Sequence, residues 1–185
     1  MDLTGIDLTT ETIRTERLVL RPFREDDVPA VHAACQDPDV QRWITAIPSP
    51  YTPELARAWV GEVSNGDRAA GRAMPVAIEA DGVLVGSSGV HRLADGHPMG
   101  PEIGYWIAAG ARGRGYAAET AHALAEWALG LGAPRVHLVA DVRNTASQAV
   151  ARSAGFSQEG VLRSYLPYRD GSRGDAALFS RLPTD

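Results

Sequence analysis

A mixed α/β fold with one central sheet is the class that three features of the sequence predict. The middle of the chain reads as strand, tight turn, helix: an alternating run over 101–108, then Arg112-Gly113-Arg114-Gly115-Tyr116-Ala117, then a helical pattern to about Gly130. Around that centre the order is one strand, two helices and three strands before the turn, then a helix, a strand, a helix and closing extended segments. That order is neither a βαβ repeat nor an all-β chain, so a mixed sheet is expected. The 185 residues, 44% of them hydrophobic, suffice for one core, and no low-complexity linker divides them. The expected organisation is a loosely held lead-in over 1–15 and a single domain over 16–185.

Each element has a local signal. Arg17-Leu18-Val19-Leu20-Arg21-Pro22-Phe23 alternates as a first strand. Arg24-Glu25-Asp26-Asp27 sets acidic side chains at a helix start, and the helix through Val28, Val31, His32 and Cys35 ends before Pro38. Trp43 and Ile44 fall in a turn or short helix. Thr52-Pro53 is a start signal, a capping hydroxyl followed by proline at the first helical position. Leu55, Ala58, Trp59 and Val63 are expected to cover one face of that helix. The charged, glycine-containing stretch 64–71 is expected as a loop. Strands over 74–79 and 83–91 flank Asp81-Gly82, a tight hairpin turn, and Asp95-Gly96-His97-Pro98 marks another turn. After the central turn, Ala118, Ala121, Leu124, Ala125 and Ala128 form an apolar stripe whose small alanines allow close approach to a sheet. Gly130 and Gly132 end that helix, and 136–142 is the next strand. Asn144 caps a helix that runs to about Ser153 and stops at Gly155. Extended segments from Phe156 through 164–168 and over 175–182, turned by Asp170-Gly171, close the chain.

Chemistry concentrates at the central turn. Gly113 and Gly115 let the backbone tighten and approach a ligand with no Cβ in the way. The first N–H groups of the following helix lack intrahelical partners and sit at its positive end. With Arg112 and Arg114 beside them they suit a phosphate or pyrophosphate; the same residues also suit an exposed strand-to-helix connection. There is no Gly-Lys-Ser/Thr closure and no three-glycine fingerprint, which excludes the nucleotide-hydrolase and dinucleotide loops. The net charge of -5 argues against a nucleic-acid scaffold. A lone cysteine, Cys35, builds neither a disulfide framework nor a zinc cluster. The histidines never take the His-Glu-x-x-His spacing, so no metal is expected. Gly86-Ser87-Ser88-Gly89 is not a serine-hydrolase elbow. The opening residues lack a signal-peptide profile and no apolar run reaches membrane-spanning length, so a cytoplasmic location with no membrane partner is the expectation.

The run Arg112-x-x-Gly115-x-Ala117 resembles the acetyl-coenzyme A pyrophosphate motif of the GNAT acetyltransferase superfamily. Four further blocks fall in that family's order. Thr15-Glu16-Arg17-Leu18-Val19-Leu20-Arg21-Pro22 resembles the opening strand of the branch that contains the ribosomal-protein N-terminal acetyltransferases, and Glu102-Ile103-Gly104-Tyr105-Trp106-Ile107 resembles its fourth strand. Asn144-Thr145-Ala146-Ser147, followed by Ala154-Gly155-Phe156, resembles its helix after the fifth strand, and Glu159 to Arg163 with Asp175 its closing hairpin. The resemblance implies a twisted sheet, flanked by helices, that splays between the fourth and fifth strands. Acetyl-CoA, as cosubstrate, would lay its pantetheine arm in that gap. On this template the backbone at Ile107 and Ala108 orients the thioester, and Arg112, Gly113, Arg114, Gly115, Tyr116 and Ala117 hold the pyrophosphate. Direct transfer in a ternary complex is implied, with the N-terminal α-amine of a protein or peptide, ribosomal proteins first, as acceptor. A small-molecule amine or antibiotic is an alternative acceptor, and a noncatalytic acetyl-CoA sensor is the rival class. A homodimer is implied by the resemblance alone.

Amine acetylation needs a deprotonated nucleophile, stabilisation of an oxyanion and a proton for the departing thiolate. Glu102, at the start of its strand, is the candidate base, helped if burial raises its pKa; otherwise it is a strand-end charge paired with arginine or solvent. His91 and His97 are rival bases. Asn144 caps its helix, and the resemblance adds a contact to pantetheine or to an active-site water. Ser147, one turn on, is the candidate hydrogen-bond donor to the coenzyme sulfur. The family's tyrosine acid is replaced here by Ala151, so Ser147, water or a tyrosine from elsewhere must serve. Tyr165 and Tyr168 are candidates for the acceptor pocket. Tyr105 and Trp106 alternate on their strand, so one faces the core and the other a helix or acceptor site. By resemblance Trp43 and Trp59 lie where acceptor selectivity is shaped. Glu119 is expected to be structural, orienting Arg112 or Arg114.

Overall fold

The computed structural model describes residues 1–93 and 96–185. Its centre is an eight-stranded mixed sheet: β1 (Ile13–Arg14), β2 (Val19–Arg21), β3 (Met74–Ala80), β4 (Val83–His91), β5 (Glu102–Ile107), β6 (Val136–Asp141), β7 (Ser157–Pro167) and β8 (Arg173–Arg181). The spatial order is β1-β2-β3-β4-β5-β6-β8-β7. All neighbours run antiparallel except β5 and β6, which are parallel. Parallel neighbours need a crossover, and α5 (Tyr116–Gly130) supplies it.

That parallel contact makes the cleft. Along β4 and β5 six residues pair in register, Gly86 with Ile107 through His91 with Glu102. Between β5 and β6, Glu102 and His137 are the one registered pair, supported by His137 N–H donating to the Pro101 carbonyl at 2.9 Å. Beyond it the strands part. At the apex Gly100, with φ at 71°, lies so close to β6 that a Cβ would meet the Arg135 carbonyl oxygen at 2.3 Å.

Alternation along the strands divides the core in two. Leu20, Met74, Val76, Ile78, Val90 and Ile103 pack beneath Ala121, Leu124, Ala125 and Ala128 of α5, with Tyr105 and Ile107 against the same cluster. On the other face Phe23, Val28, Val31, Ala56, Val60 and Ala77 enclose a smaller core, against which Trp59 and Trp106 pack. Its helices are α1 (Val28–Cys35), α2 (Pro38–Trp43), α3 (Pro53–Ala58) and α4 (Ser64–Ala69), with a π-helical turn, Trp59–Val63, joining the last two. The sixth helix, α6 (Thr145–Ser153), follows β6.

Several expected features form as read. Thr52 accepts from Leu55 N–H, Asp81 and Gly82 both have positive φ as a type I′ turn requires, and Asn144 accepts from Ser147 N–H. Three readings are corrected. The lead-in is tied down: β1 pairs with β2, Leu8 is buried, and Trp127 Nε1 donates to Glu11 Oε1 at 3.0 Å. Residues 64–69 are helix, not loop, because the helix from Pro53 runs on through the π turn. Its buried face is consequently Ala56, Val60, Ser64 and Arg68, spaced by four, whereas Leu55 and Val63 are exposed. The turn expected from Asp95 begins outside the described residues.

Candidate active site

Two loops and two helices meet where β5 and β6 diverge. A cavity of about 490 Å³ opens there. The backbone sets its floor. Ala108 N–H donates back to Val85 of β4 at 2.9 Å, so alternation turns the amides and carbonyls of Tyr105 and Ile107 toward the gap, facing Val139 and Asp141 on the other lip. The Ile107 carbonyl is taken by Arg112 Nε at 3.1 Å.

The wall at the start of α5 is built for an anion. Gly113 and Gly115 have φ of 76° and 81°, a conformation that side chains rarely adopt. Gly115 is the N-cap, no side chain caps the helix, and the first intrahelical bond is Glu119 N–H to the Gly115 carbonyl. The amides of Tyr116, Ala117 and Ala118 are thus aimed outward with the helix dipole behind them. The acid that would repel an anion is turned aside: Glu119 accepts from Thr15 Oγ1 at 2.5 Å and from Arg17 Nε at 2.7 Å. Burial would raise the Glu119 pKa, but Thr15 and Arg17 outweigh it and hold the carboxyl below its ordinary value. Arg17, rather than Arg112 or Arg114, is the partner of Glu119, and its Nη1 also donates to the Arg114 carbonyl at 2.9 Å. The signal for Arg17 was its place in the opening-strand block, which names a strand but no partner a hundred residues away.

At the far end of the cavity, Ser147 and Tyr105 form a pair. The two hydroxyl oxygens are 2.9 Å apart, and Tyr105 OH also donates to the Ser147 carbonyl at 3.2 Å. Burial pushes the Tyr105 phenol up to about 12. Ala151, in place of a tyrosine, is fully buried against α5.

Glu102, Gly104 and Trp106 point to the opposite face, alongside α1–α4. Glu102 lies at the apex, with His137 Nε2 and Arg92 Nε each 3.6 Å from its Oε2. The neighbouring His137 imidazole lowers the Glu102 pKa and outweighs burial, so the condition that would help it as a base, a pKa raised by burial, is not met. His91 lies over Gly89, opposite Glu102, and burial lowers its pKa.

Of the residues singled out in the sequence, Trp43, Tyr105, Trp106, Ile107, Arg112, Gly113, Gly115, Tyr116, Ala117, Asn144 and Ser147 line the cavity; Trp59, His91, Glu102, Ala108, Arg114 and Tyr165 do not. Trp59 stacks edge-on against Phe23 at 6.4 Å, and Tyr165 stands exposed on β7. Asp39, Val40 and Ile44 of the α2 region, and Ala146 and Val150 of α6, line it without having been singled out. Their positions depend on how α2 and α6 cross the gap, which no local pattern reveals.

Residues 17–157 match the acetyltransferase (GNAT) domain family. The chain belongs to the GNAT acetyltransferases. This GNAT chain is similar to the uncharacterised N-acetyltransferase YoaA of Bacillus subtilis, at 29% identity over 174 residues, 91% of this chain and 94% of that protein. It is similar also to the uncharacterised N-acetyltransferase p20 of Bacillus licheniformis, at 26% over 175 residues, 93% and 96% of the two chains. Among solved structures, a GNAT-family acetyltransferase from Bacillus anthracis has a TM-score of 0.79 at 26% identity, covering 95% of this chain and 100% of the other. RimL, a ribosomal L7/L12 α-N-protein acetyltransferase in complex with coenzyme A, has a TM-score of 0.80 at 24% identity, covering 95% and 100%, a likeness of fold. The activity is acetyl-CoA-dependent N-acetylation. The residues present fit the cosubstrate: an uncapped helix start, two glycines in the left-handed region and a neutralised Glu119 suit its diphosphate. Among the described residues no cluster suits a metal ion, and no helix is long and apolar enough to cross a membrane.

Proposed function

We propose that this GNAT enzyme acetylates the N-terminal α-amine of a protein or peptide. The observation that carries the reading is the bare sheet at Gly104. This residue lies mid-sheet, opposite Gly89, yet it is exposed and a Cβ on it would meet nothing within 4 Å. A trough therefore runs along the α1–α4 face from Glu102 over Gly104 to Trp106, a floor low enough for an extended main chain. RimL's acceptor, an α-amine of L7/L12, is of the same class.

In this reading the amides of residues 113 to 118 hold the diphosphate, the gap edge at Tyr105 and Ile107 aligns the pantetheine, and Asn144 and Ser147 flank the thioester. Glu102, ionised at neutral pH, attracts the acceptor ammonium and takes its proton directly or through water. The amine nitrogen then attacks the thioester carbon and the C–S bond breaks. The thiolate leaves toward Ser147, whose hydroxyl is backed by Tyr105, and the proton that the nitrogen sheds on becoming an amide ends on the sulfur, giving free coenzyme A. A phenol titrating near 12 does not give up its proton readily, so Tyr105 acts by hydrogen bonding.

The test is release of free coenzyme A with hexapeptides beginning in alanine or serine, their N-acetylated forms, spermidine and an aminoglycoside as acceptors. Turnover of the free peptides alone is expected. Turnover confined to the small amines would replace the peptide reading, and tight acetyl-CoA binding without turnover of any acceptor would leave a sensor.

A further inference from the structure

The cleft has a movable-looking wall that is in fact pinned at both ends. Helix α2 contributes Asp39, Val40 and Trp43 to the cavity, with Ile44 just after it. Six residues of helix have no stability of their own in water, so its placement must come from outside. Asp37, its N-cap, uses Oδ1 to accept from Asp39 N–H at 2.7 Å and Val40 N–H at 3.3 Å. The other oxygen lies 3.2 Å from Arg112 Nη2, and Asp39 Oδ2 lies 3.3 Å from Arg112 Nη1. With Nε on the Ile107 carbonyl, each guanidinium nitrogen of Arg112 is engaged. At the other end Arg169, in the turn between β7 and β8, sends Nη2 to the carbonyls of Gln41 and Ile44, each at 3.4 Å, and of Ile47. One arginine belongs to the loop after β5 and the other to the hairpin beyond β6. The short helix is slung between the two lips of the gap.

We propose that Arg112 and Arg169 are positioning residues for the acceptor: they hold α2 across the cleft, and the Arg112 side chain serves that strap rather than the diphosphate. The inference rests on the reading of the α2 side as the acceptor side. A rigid fork with fixed donor directions suits the task at Arg112, because its three nitrogens meet three separate acceptors that the single nitrogen of a lysine does not span.

The experiment combines acetyl-CoA titration by calorimetry, hydrogen exchange of the amides of residues 40–44, and steady-state kinetics with a serine-initiated hexapeptide. Arg112→Gln, Arg169→Gln and Asp37→Asn are compared, the last retaining an oxygen to cap α2. Each variant is expected to speed α2 exchange and to raise the peptide KM about tenfold, as loss of one charge-assisted hydrogen bond implies. Acetyl-CoA affinity is expected to stay within about twofold of wild type, a split that general destabilisation would not give. Arg112→Gln weakening acetyl-CoA tenfold while α2 exchange stays unchanged would overturn the proposal and make the side chain a phosphate ligand. Unchanged exchange in all three would overturn it as well. If the wild type binds acetyl-CoA but ignores the peptide, the peptide reading fails, and the exchange and titration results still decide on the two arginines.

Discussion

In the proposed reaction Ser147 and Glu102 act from opposite faces of one sheet, Ser147 on the departing sulfur and Glu102 on the acceptor amine, across the gap between β5 and β6. Ser147→Ala is expected to lower kcat by about tenfold to a hundredfold, the worth of one hydrogen bond to a charged group such as the departing thiolate, while calorimetry shows acetyl-CoA affinity little changed. Glu102→Gln is expected to lower kcat/KM by a similar factor. Because His137 keeps the Glu102 pKa below its ordinary value, the wild-type pH–rate profile near neutrality should report the acceptor amine and carry no step from this carboxyl. Gly115→Val should weaken acetyl-CoA at least tenfold: φ is 81° and a branched side chain is strained there, and its Cβ would stand 3.3 Å from Arg17 Nη2. Equal affinity in folded protein, measured by titration, would contradict the placement of the diphosphate at this turn. The positive φ of Gly113 and Gly115 was legible because glycine in a strand-to-helix turn has few other reasons to recur. The partners of Arg112 were not, because a long cation names no acid until the fold brings one within reach.

At the level of elements, the helix from Pro53 to Ala69 shows where patterns mislead. Leu55, Ala58, Trp59 and Val63 fit a regular 3.6-residue repeat, yet the π turn at Trp59–Val63 stretches the local period so that Ala56, Val60, Ser64 and Arg68 face inward. An arginine at the end of a charged stretch reads as solvent-facing. Here Arg68 is 2% exposed and donates to the Pro75 carbonyl at 2.7 Å and to the Glu11 carbonyl. It fastens the first residues of the chain to β3. Arg68→Ala should therefore cost about 2–4 kcal/mol in denaturant unfolding, since it leaves buried carbonyls without donors and opens space. It should also make residues 1–15 sensitive to limited proteolysis; protection equal to wild type would show that Leu8 and β1 hold the segment unaided.

Across the whole molecule, the mixed sheet and helix order were readable from composition and alternation, because strands here carry period-two patterns and their turns carry glycine or Asp-Gly pairs. The gap was not readable that way: both β5 and β6 look like ordinary interior strands, and only the family resemblance pointed to their separation. One lip of that gap is acid-sensitive. Asp141 ends β6 and accepts from Arg143 and from Tyr168 OH in the β7–β8 connection. The Arg143 bond, first, and that of Tyr168 lower its pKa from 3.8 to about 2 against the effect of burial. Between those values the unfolded chain binds the proton more readily than the folded one, so this carboxyl's contribution is whole above pH 3.8 and fades as pH falls through 2. The melting temperature should fall less steeply over that window in Asp141→Asn than in wild type, with circular dichroism as the readout; parallel curves would remove Asp141 from the acid response.

The Gly100 contact with Arg135 sits where the two half-sheets meet, so it works as the fulcrum of a pair of jaws. A methyl group inserted there would need to displace a backbone oxygen now 2.3 Å from its place. Whatever small tilt relieved that collision would be magnified by leverage along β5 and β6. A position outside the cavity lining thus sets how closely β5 and β6 approach at the apex from which the gap opens.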